Sequence, residues 1–379
     1  MNWDVAGLPS ELLAAGPWAV FDVALLDKTT RIVLGVLLAV LAIAYGVGRV
    51  LRRQPEGTFD PAVVRTFNQR VRVWWLMWAI LAFGFILGPA ATMTLFGFIS
   101  FWALREFITM TPTRRGDHRA LFWTFFVFTP LQYVLVGVGT RYVHGAPGWM
   151  PWLEGIDFYG LYTIMIPVYA SLFIPARIAL SGDAKRFLER TAKIQAGLLI
   201  CVYALSFAPA LLNLELWTWT GQEWAKWSDT HSSASLLLFL ILVVQLNEVF
   251  QYMWGRLIGR HVIAPSINAS RTWEGFVGGA LTTSLAGLLL WKITPFTLWG
   301  AACMAMVIAI MGFAGGMTMS AIKRDRGVTD YGTLVAGHAG LLDRIDSLCF
   351  AAPVFFHLTR FYLSYLPSLD QATSQGVLP

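Results

Sequence analysis

Charged residues are scarce in this 379-residue sequence, where Asp, Glu, Lys and Arg occupy 13% of positions and hydrophobic residues 56%. An ordinary soluble domain needs a more polar surface, so this composition excludes that class. The mean hydropathy of +0.60 and the long apolar runs instead predict a polytopic integral membrane protein of the all-α class. Membrane topology explains the net charge of +6, so we expect the lipid bilayer and no nucleic acid as a partner.

Cysteine is also scarce, with three residues that each lie in an apolar run: Cys201, Cys303 and Cys349. Their spacing fits neither a disulfide framework nor a zinc site. The sequence has no Walker-type phosphate loop and no Ser-His-Asp order. The first residues include Asp4 and Glu11 rather than a basic segment, so we expect no cleavable signal peptide.

The apolar runs predict about ten transmembrane helices. We expect them near residues 32–48, 73–88, 89–104, 120–138, 158–176, 195–212, 233–252, 276–292, 297–318 and 347–365. The loops after odd-numbered spans contain 22 of the 28 Lys and Arg residues. Because basic loops stay in the cytoplasm, this bias predicts a multi-pass protein of the inner (cytoplasmic) membrane with both termini outside.

The chain is predicted to have three parts. Residues 1–230 contain the N-terminal transmembrane helices and their basic cytoplasmic loops. Residues 231–366 form a catalytic transmembrane region with two motif-bearing cytoplasmic loops, and residues 367–379 form a disordered tail.

Residues 320–346 form the densest polar segment and lie between two long apolar runs, which makes them the first candidate for a functional site. In a helix, Asp343 and Asp346 would share one face and could bind a hard cation such as Mg²⁺, with Asp330 joining them across a turn. A network of Asp–Arg pairs that only neutralises a buried loop fits the same residues. His338, between small residues, is by itself more typical of a hydrogen-bonded loop residue than of a base.

A second candidate segment covers residues 247–279. It contains Glu248 inside an apolar run, where a buried charge is costly unless a cation or a polar partner offsets it. The competing interpretation is a structural carboxylate that pairs with an Arg at the membrane surface.

The two segments together resemble a known family. Ser320-x-x-Lys323-Arg324, Thr329-Asp330-x-Gly332 and Gly337-His338-x-Gly340-x-x-Asp343-Arg344-x-Asp346-Ser347 are similar to the motif of the phosphatidate cytidylyltransferases, or CDP-diacylglycerol synthases. Tyr252-x-x-Gly255-Arg256 and Arg271-Thr272-Trp273-Glu274-Gly275 resemble the second motif of that family. The resemblance covers about residues 245–360 and is far more specific than a lone glycine pattern.

The resemblance implies a role for each matching residue. The implied catalytic residues are Lys323, Arg324, Asp330, His338 and Asp343. The implied substrate-binding residues are Ser320, Arg344, Tyr252, Arg256, Arg271, Thr272 and Trp273. The implied metal ligands are Asp343, Asp346 and Glu248, with Mg²⁺ as the cofactor and room for a second cation.

The reaction implied by the resemblance joins CTP to a membrane lipid phosphate, phosphatidic acid in the family, and releases pyrophosphate. The same analogy with the family allows a homodimer through membrane helices. Three other interpretations stay open: a CTP-dependent lipid kinase, a lipid-phosphate-binding protein without turnover, and a transporter. Only the number of predicted spans supports the transporter.

Departures from the family pattern indicate a divergent branch. The family has a Gly-Asp pair, whose Asp binds metal, where this chain has Gly315-Gly316, and Lys where it has Thr329. Gly316 has no side chain to bind a metal. Either Glu248 or Asp330 completes the metal shell, or the use of metal has changed.

Overall fold

The computed structural model describes residues 28–51, 61–110, 113–138, 158–214, 216–219, 224–227, 232–328 and 340–365. Within these ranges the chain has the predicted all-α architecture. The long helices are α1 (Lys28–Leu51), α2 (Pro61–Leu87), α3 (Pro89–Thr109), α4 (Arg115–Val138), α5 (Phe158–Ala179), α6 (Phe187–Asn213), α7 (Ala234–Ile258), α8 (Trp273–Leu289), α9 (Leu298–Arg326) and α10 (Leu342–Arg360).

Seven of the described helices, α1, α3 to α7 and α9, are long and apolar enough to cross a membrane. The protein is therefore a polytopic membrane protein. The predicted spans at 73–88, 276–292 and 347–365 lie on α2, α8 and α10, which are not among the seven; the apolar part of α2 covers only Trp74–Leu87. The number of ten spans and the outside position of both termini stay predictions.

The chain divides into two compact units, residues 1–92 and 93–379. In the first unit α2 packs closely against α1. Their contact includes the buried Asn68, whose Nδ2 donates to the carbonyl of Gly48 at 3.0 Å. A Cβ atom at Gly48 would lie 2.3 Å from Asn68 Oδ1, so a larger residue there would displace the Asn68 amide from this bond. The predicted boundary near residue 230 differs from this division and stays a prediction, and the tail at 367–379 lies outside the described residues.

Three helices of the second unit contain π-helical turns, at Thr124–Phe128 in α4, Met165–Ala170 in α5 and Leu198–Ala204 in α6. In two of them a hydroxyl bonds to the carbonyl five residues earlier: Thr129 Oγ1 to Thr124 at 2.8 Å, and Ser171 Oγ to Ile166 at 3.0 Å. Each of these carbonyls also accepts the backbone N–H of the same residue, which is the i to i+5 bond of a π-helical turn, so the hydroxyl adds a second bond at the end of the turn. Another π-helical turn, Phe361–Tyr365, continues α10.

Helix α7 lies at the centre of the C-terminal helices and packs against α8, α9 and α10. Its residues 234–245 are all buried, which is typical of a helix that is apolar on every side. Two antiparallel hairpins flank this helix in sequence. They pair β1 (Trp217–Trp219) with β2 (Trp224–Lys226) and β3 (Val262–Ala264) with β4 (Asn268–Thr272).

The ends of the C-terminal helices are set by local sequence. Thr272 Oγ1 accepts from the Gly275 N–H at 3.1 Å and begins α8, and Thr297 Oγ1 accepts from Gly300 at 3.2 Å and begins α9. Gly327, with a φ of 69°, ends α9 in the left-handed conformation that glycine adopts without strain.

A buried ion pair joins the starts of α4 and α6. Asp117 and Arg190 are 1% and 5% exposed, and Arg190 Nε donates to Asp117 Oδ1 at 2.8 Å. Arg190 Nη1 also donates to the carbonyls of Asp183 at 2.8 Å and Lys185 at 3.0 Å. Nη2 donates to Asp117 Oδ1 as well, so all three nitrogens of the guanidinium bond within the fold, which indicates a structural role for this pair.

Replacing Asp117 by Asn is expected to lower the free energy of unfolding by about 3–5 kcal/mol, because Arg190 stays buried without its counter-charge. The matched control is Asp183→Asn, since Asp183 lies at the exposed edge of the same cluster. There the Lys185 N–H and the Arg114 guanidinium hold the pKa of the Asp183 carboxyl below its usual range. Water screens this exposed charge, so its loss should destabilise the protein far less than the loss of Asp117. Thermal unfolding in detergent measures both; equal losses would contradict the structural assignment of the Asp117–Arg190 pair.

Candidate active site

Two carboxylates from distant parts of the sequence meet between α7 and α10. Ser347 Oγ lies 2.6 Å from Glu248 Oε1 and 3.2 Å from Asp346 Oδ1. A hydroxyl has a single proton and can donate to only one of them at a time. Two carboxylates so close together repel each other unless a proton or a cation lies between them. The pair Glu248–Asp346 therefore has the oxygen donors and the excess negative charge that a hard cation requires.

The face of α9 that meets this pair consists of glycines. A Cβ atom at Gly315 would lie 2.9 Å from the Asp346 carbonyl and 3.0 Å from Phe350, so packing requires glycine there. At Gly316 a Cβ atom would make ordinary contacts, 3.6 Å from Arg271 Nη2 and 3.7 Å from Ser347 Oγ. Gly316 is thus not required by packing, and its missing side chain leaves space between Arg271 and Ser347.

A chain of buried amides orients Arg271. Asn247 Nδ2 donates to the Ala309 carbonyl at 3.2 Å, and Gln251 Nε2 donates to Asn247 Oδ1 at 3.1 Å. Gln251 Oε1 in turn accepts from Arg271 Nη1 at 2.7 Å. This chain connects α9 through α7 to β4, so the Arg271 guanidinium has a defined position beside Gly316 and the carboxylates.

Sequence reasoning missed Asn247 and Gln251 as members of the site. The available signal was their spacing, because two amides at i and i+4 in an apolar run share one helix face. Each is almost fully buried, at 1% and 4% exposure. Buried amides of this kind need partners, which here are Arg271 and the α9 backbone.

A second ion pair lies where α9 ends and α10 begins. Lys323 Nζ donates to Asp343 Oδ1 at 2.8 Å, and the N–H of Gly340 donates to Asp343 Oδ2 at 3.1 Å. Asp343 and Asp346 do lie one turn apart on the same helix, as their spacing predicted. Both oxygens of Asp343 have partners in Lys323 and Gly340, however, whereas the carboxylate of Asp346 shares Ser347 with the carboxylate of Glu248. The role of Asp343 as a metal ligand stays a prediction.

The β3–β4 hairpin packs on the end of α9 through two predicted substrate-binding or catalytic residues. Asn268 Nδ2 donates to Ser320 Oγ at 3.2 Å, and Arg324 Nε donates to the Ile267 carbonyl at 3.1 Å. Thr272 caps the N-terminus of α8 with its hydroxyl. These contacts position the hairpin and so place Arg271 next to α9.

The other predicted substrate-binding residues are more open. Tyr252 is 57% exposed and Trp273 is 54% exposed, and Arg256 is exposed at the end of α7. Arg344 lies half-buried in the first turn of α10, and its carbonyl accepts a long bond of 3.5 Å from Gln245 Nε2. Exposed aromatic and basic side chains at helix ends are typical of the membrane–water interface.

Asp330 and His338 lie outside the described residues, so their predicted catalytic roles stay predictions. Among the described residues, no group of three or more His, Cys, Asp and Glu side chains is placed to hold a metal ion. The donors that fit Mg²⁺ are the two carboxylates of Glu248 and Asp346, because Mg²⁺ usually takes one or two protein carboxylates and completes its shell with water and phosphate.

Comparison with known proteins supports the motif assignment. Residues 68–362 match the model of the cytidylyltransferase family. The uncharacterized protein YnbB of Escherichia coli K12 is 34% identical over 332 residues, which cover 86% of this chain and 97% of YnbB. A phosphatidate cytidylyltransferase of Staphylococcus saprophyticus is 37% identical over 120 residues, 31% of this chain and 46% of that protein. Another from Staphylococcus aureus COL is 27% identical over 202 residues, 52% of this chain and 76% of that protein.

Proposed function

The chain belongs to the cytidylyltransferase family and is a nucleotidyltransferase of a divergent branch, and from this premise we propose that it transfers the cytidylyl group of CTP to phosphatidic acid. An oxygen of the lipid phosphate attacks the α-phosphorus of CTP. The bond from that phosphorus to the bridging oxygen breaks, and pyrophosphate leaves with the electron pair. The products are CDP-diacylglycerol and pyrophosphate.

The observation that carries this proposal is the Glu248–Asp346 pair beside Arg271. Nucleophile and triphosphate are both anions, so the reaction needs cations more than it needs a nucleophilic side chain. Arg271 is one such cation, and its guanidinium suits bidentate contact with phosphate. The carboxylate pair offers a place for another.

We propose Mg²⁺ as that second positive group, with Glu248 and Asp346 as its protein ligands. Bound there, the ion would neutralise charge on the triphosphate. The space at Gly316 would accept the phosphate groups next to Arg271. Asp343 and Asp330 remain the candidates for a further cation.

Three groups of residues position the reactants in the proposed reaction. The Gln251–Asn247 chain holds Arg271 toward the phosphates. Ser347 holds both carboxylates, because its hydroxyl donates to Glu248 Oε1 at 2.6 Å and its backbone N–H donates to Asp346 Oδ1 at 2.6 Å. Lys323 lies at the end of α9, and we propose that it contacts phosphate together with Arg324 and, in the predicted loop, His338.

We propose that the site faces the cytoplasm at the inner membrane. Lys323, Arg324 and Arg326 are in the last turn of α9, and the bias of basic residues assigns that end of the helix to the cytoplasm. A site at this level lets soluble CTP meet an acceptor whose acyl chains stay in the bilayer.

The test is pyrophosphate release by the purified chain in detergent with CTP and Mg²⁺. The panel of acceptors contains phosphatidic acid, lysophosphatidic acid, an isoprenyl phosphate and diacylglycerol, which has no phosphate. The proposal expects release with phosphatidic acid and none with diacylglycerol. Release with another lipid phosphate alone would refute phosphatidic acid as the acceptor, and silence across the panel from folded protein would refute the proposed reaction.

Replacing Arg271 by Lys is expected to lower kcat/KM for CTP by about 10- to 100-fold, because Lys keeps the charge but loses the planar fork that reaches both Gln251 and a phosphate. The matched control is Arg260→Lys, two residues before the same hairpin begins. Arg260 is exposed and contacts Glu274 only through its backbone N–H in the described contacts, so its kinetics should stay unchanged. Equal kinetics of Arg271→Lys and the wild type would argue against a phosphate contact.

A further inference from the structure

Glu106 is a buried carboxylate that belongs to neither motif segment. It lies near the end of α3 and is 3% exposed. Its Oε1 accepts from the N–H of Leu341 at 3.1 Å and from Trp102 Nε1 at 3.3 Å. Its Oε2 accepts from the N–H of Leu342 at 2.8 Å. Both carboxylate oxygens thus contact the start of α10, more than 230 residues away in sequence.

These bonds replace a cap that α10 does not supply for itself. Leu341, the residue before the helix, has no side chain that can bond to the free N–H groups of the first turn. A carboxylate near a helix N-terminus is also favoured by the helix dipole, and its bonds to N–H groups are charge-assisted. In the described part of the chain no Lys or Arg forms an ion pair with Glu106, so peptide and indole N–H groups are its partners.

The first turn of α10, which Glu106 binds, leads directly into the residues of the candidate site. Asp343 lies one residue after the second capped N–H, and Asp346 and Ser347 lie on the next turn. Because a helix is rigid over so short a distance, the position of its first turn sets where Asp346 meets Glu248 and where Asp343 meets Lys323.

We infer that Glu106 is a positioning residue for the proposed metal site, by which helix α3 fixes the first turn of α10 and so the place of Asp346 beside Glu248. It acts on the reaction through α10 and does not touch substrate. This inference rests on the proposed function for its kinetic consequence, but the contact itself can be tested without turnover.

The experiment compares Glu106→Gln, Glu106→Ala and the wild type by two measurements on the full-length chain in detergent. The first is hydrogen exchange of peptides that cover residues 340–348. The second is the Mg²⁺ concentration that gives half-maximal pyrophosphate release. Gln keeps one acceptor oxygen and Ala keeps none, so both effects should increase in the order wild type, Gln, Ala. The half-activating Mg²⁺ concentration should rise by about 10- to 100-fold in the Ala variant, as for other groups that orient metal ligands.

A matched control separates positioning from general loss of stability. Gln132 in α4 is fully buried, and its Nε2 donates to the Tyr162 carbonyl and to Ser206 Oγ, each at 3.2 Å. Gln132→Leu should lower the unfolding temperature without changing exchange at 340–348 or the Mg²⁺ requirement. If Glu106→Ala does not fold, the Gln variant carries the test.

Two results would overturn the inference. Wild-type exchange at 340–348 in the Glu106 variants would show that the carboxylate does not hold α10. Faster exchange with an unchanged Mg²⁺ requirement would show that the contact is structural only. A wild-type protein that releases no pyrophosphate would refute the proposed function instead, and the exchange measurement would still decide whether Glu106 holds this turn.

Discussion

Replacing Asp346 by Asn is expected to lower pyrophosphate release by about 100- to 1,000-fold, because the proposed Mg²⁺ site then loses one of its two carboxylates. Asn has the same shape and keeps an oxygen that can accept from Ser347, so the fold should be retained. Glu248→Gln should have an effect of similar size. Initial rates at saturating CTP, with binding of Mn²⁺ followed by electron paramagnetic resonance, check both parts of the expectation.

The matched control is Asp325→Asn on the last turn of α9. Its carboxylate is exposed and contacts only the neighbouring Arg326 among the described ion pairs. It should leave rate and Mn²⁺ binding unchanged, since an exposed pair on one helix turn contributes little. Full activity of Asp346→Asn would contradict the assignment of the metal site to Glu248 and Asp346.

Replacing Asp343 by Asn, or Lys323 by Met, is expected to remove most of the activity, by about 100-fold or more, while the protein still inserts and folds. The pair is largely buried, with side-chain exposures of 17% for Lys323 and 6% for Asp343. Each single change leaves one charge without its partner and should also cost about 1–3 kcal/mol of stability. Asn at 343 can still accept from the Gly340 N–H, which preserves the start of α10.

A double-mutant cycle tests whether the two residues act as a unit. Because each single variant already breaks the pair, Lys323→Met combined with Asp343→Asn should lose less activity and less stability than the two single losses added together. Thermal unfolding and pyrophosphate release give the two coupling energies. Strict additivity in both would show that Lys323 and Asp343 act independently, and a fully active Asp343→Asn variant would refute any role of this carboxylate in the reaction.

The fold class was predictable from the sequence because a membrane imposes it. Long apolar runs can satisfy their backbone only as helices, so α1, α3 to α7 and α9 follow directly from composition. Hydropathy was less informative for α8 and α10. Their first turns are polar because they contain motif residues. These residues lower the mean hydropathy of the helix below that of a helix that only crosses the bilayer.

The site was predictable in part. Spacing placed Asp343 and Asp346 one turn apart, and the acid inside the apolar run, Glu248, does lie against Asp346. The sequence could not show that Lys323 and Gly340 both donate to the Asp343 carboxylate. Nor could it show that the Asp346 carboxylate lies beside Ser347 and Glu248. That distribution depends on how α7, α9 and α10 pack, and helical periodicity contains no information on neighbours in space.

Glu106 shows the same limit more clearly. In sequence it follows Arg105 at the end of a hydrophobic span, where a charged residue is ordinary. Its partners Leu341 and Leu342 are apolar and give no sign that their N–H groups need an acceptor. Only the three-dimensional structure shows that the N-terminal half of the chain contacts the motif.

The most direct test of the proposed reaction uses CTP labelled either at the α-phosphorus or at the γ-phosphorus, incubated with the purified chain, Mg²⁺ and phosphatidic acid. We expect the α-label to enter the lipid and the γ-label to be recovered as pyrophosphate, and we expect neither transfer with the Asp346→Asn variant. Recovery of the γ-label in the lipid would show a kinase and contradict the proposed reaction, as would folded protein that leaves both labels in CTP.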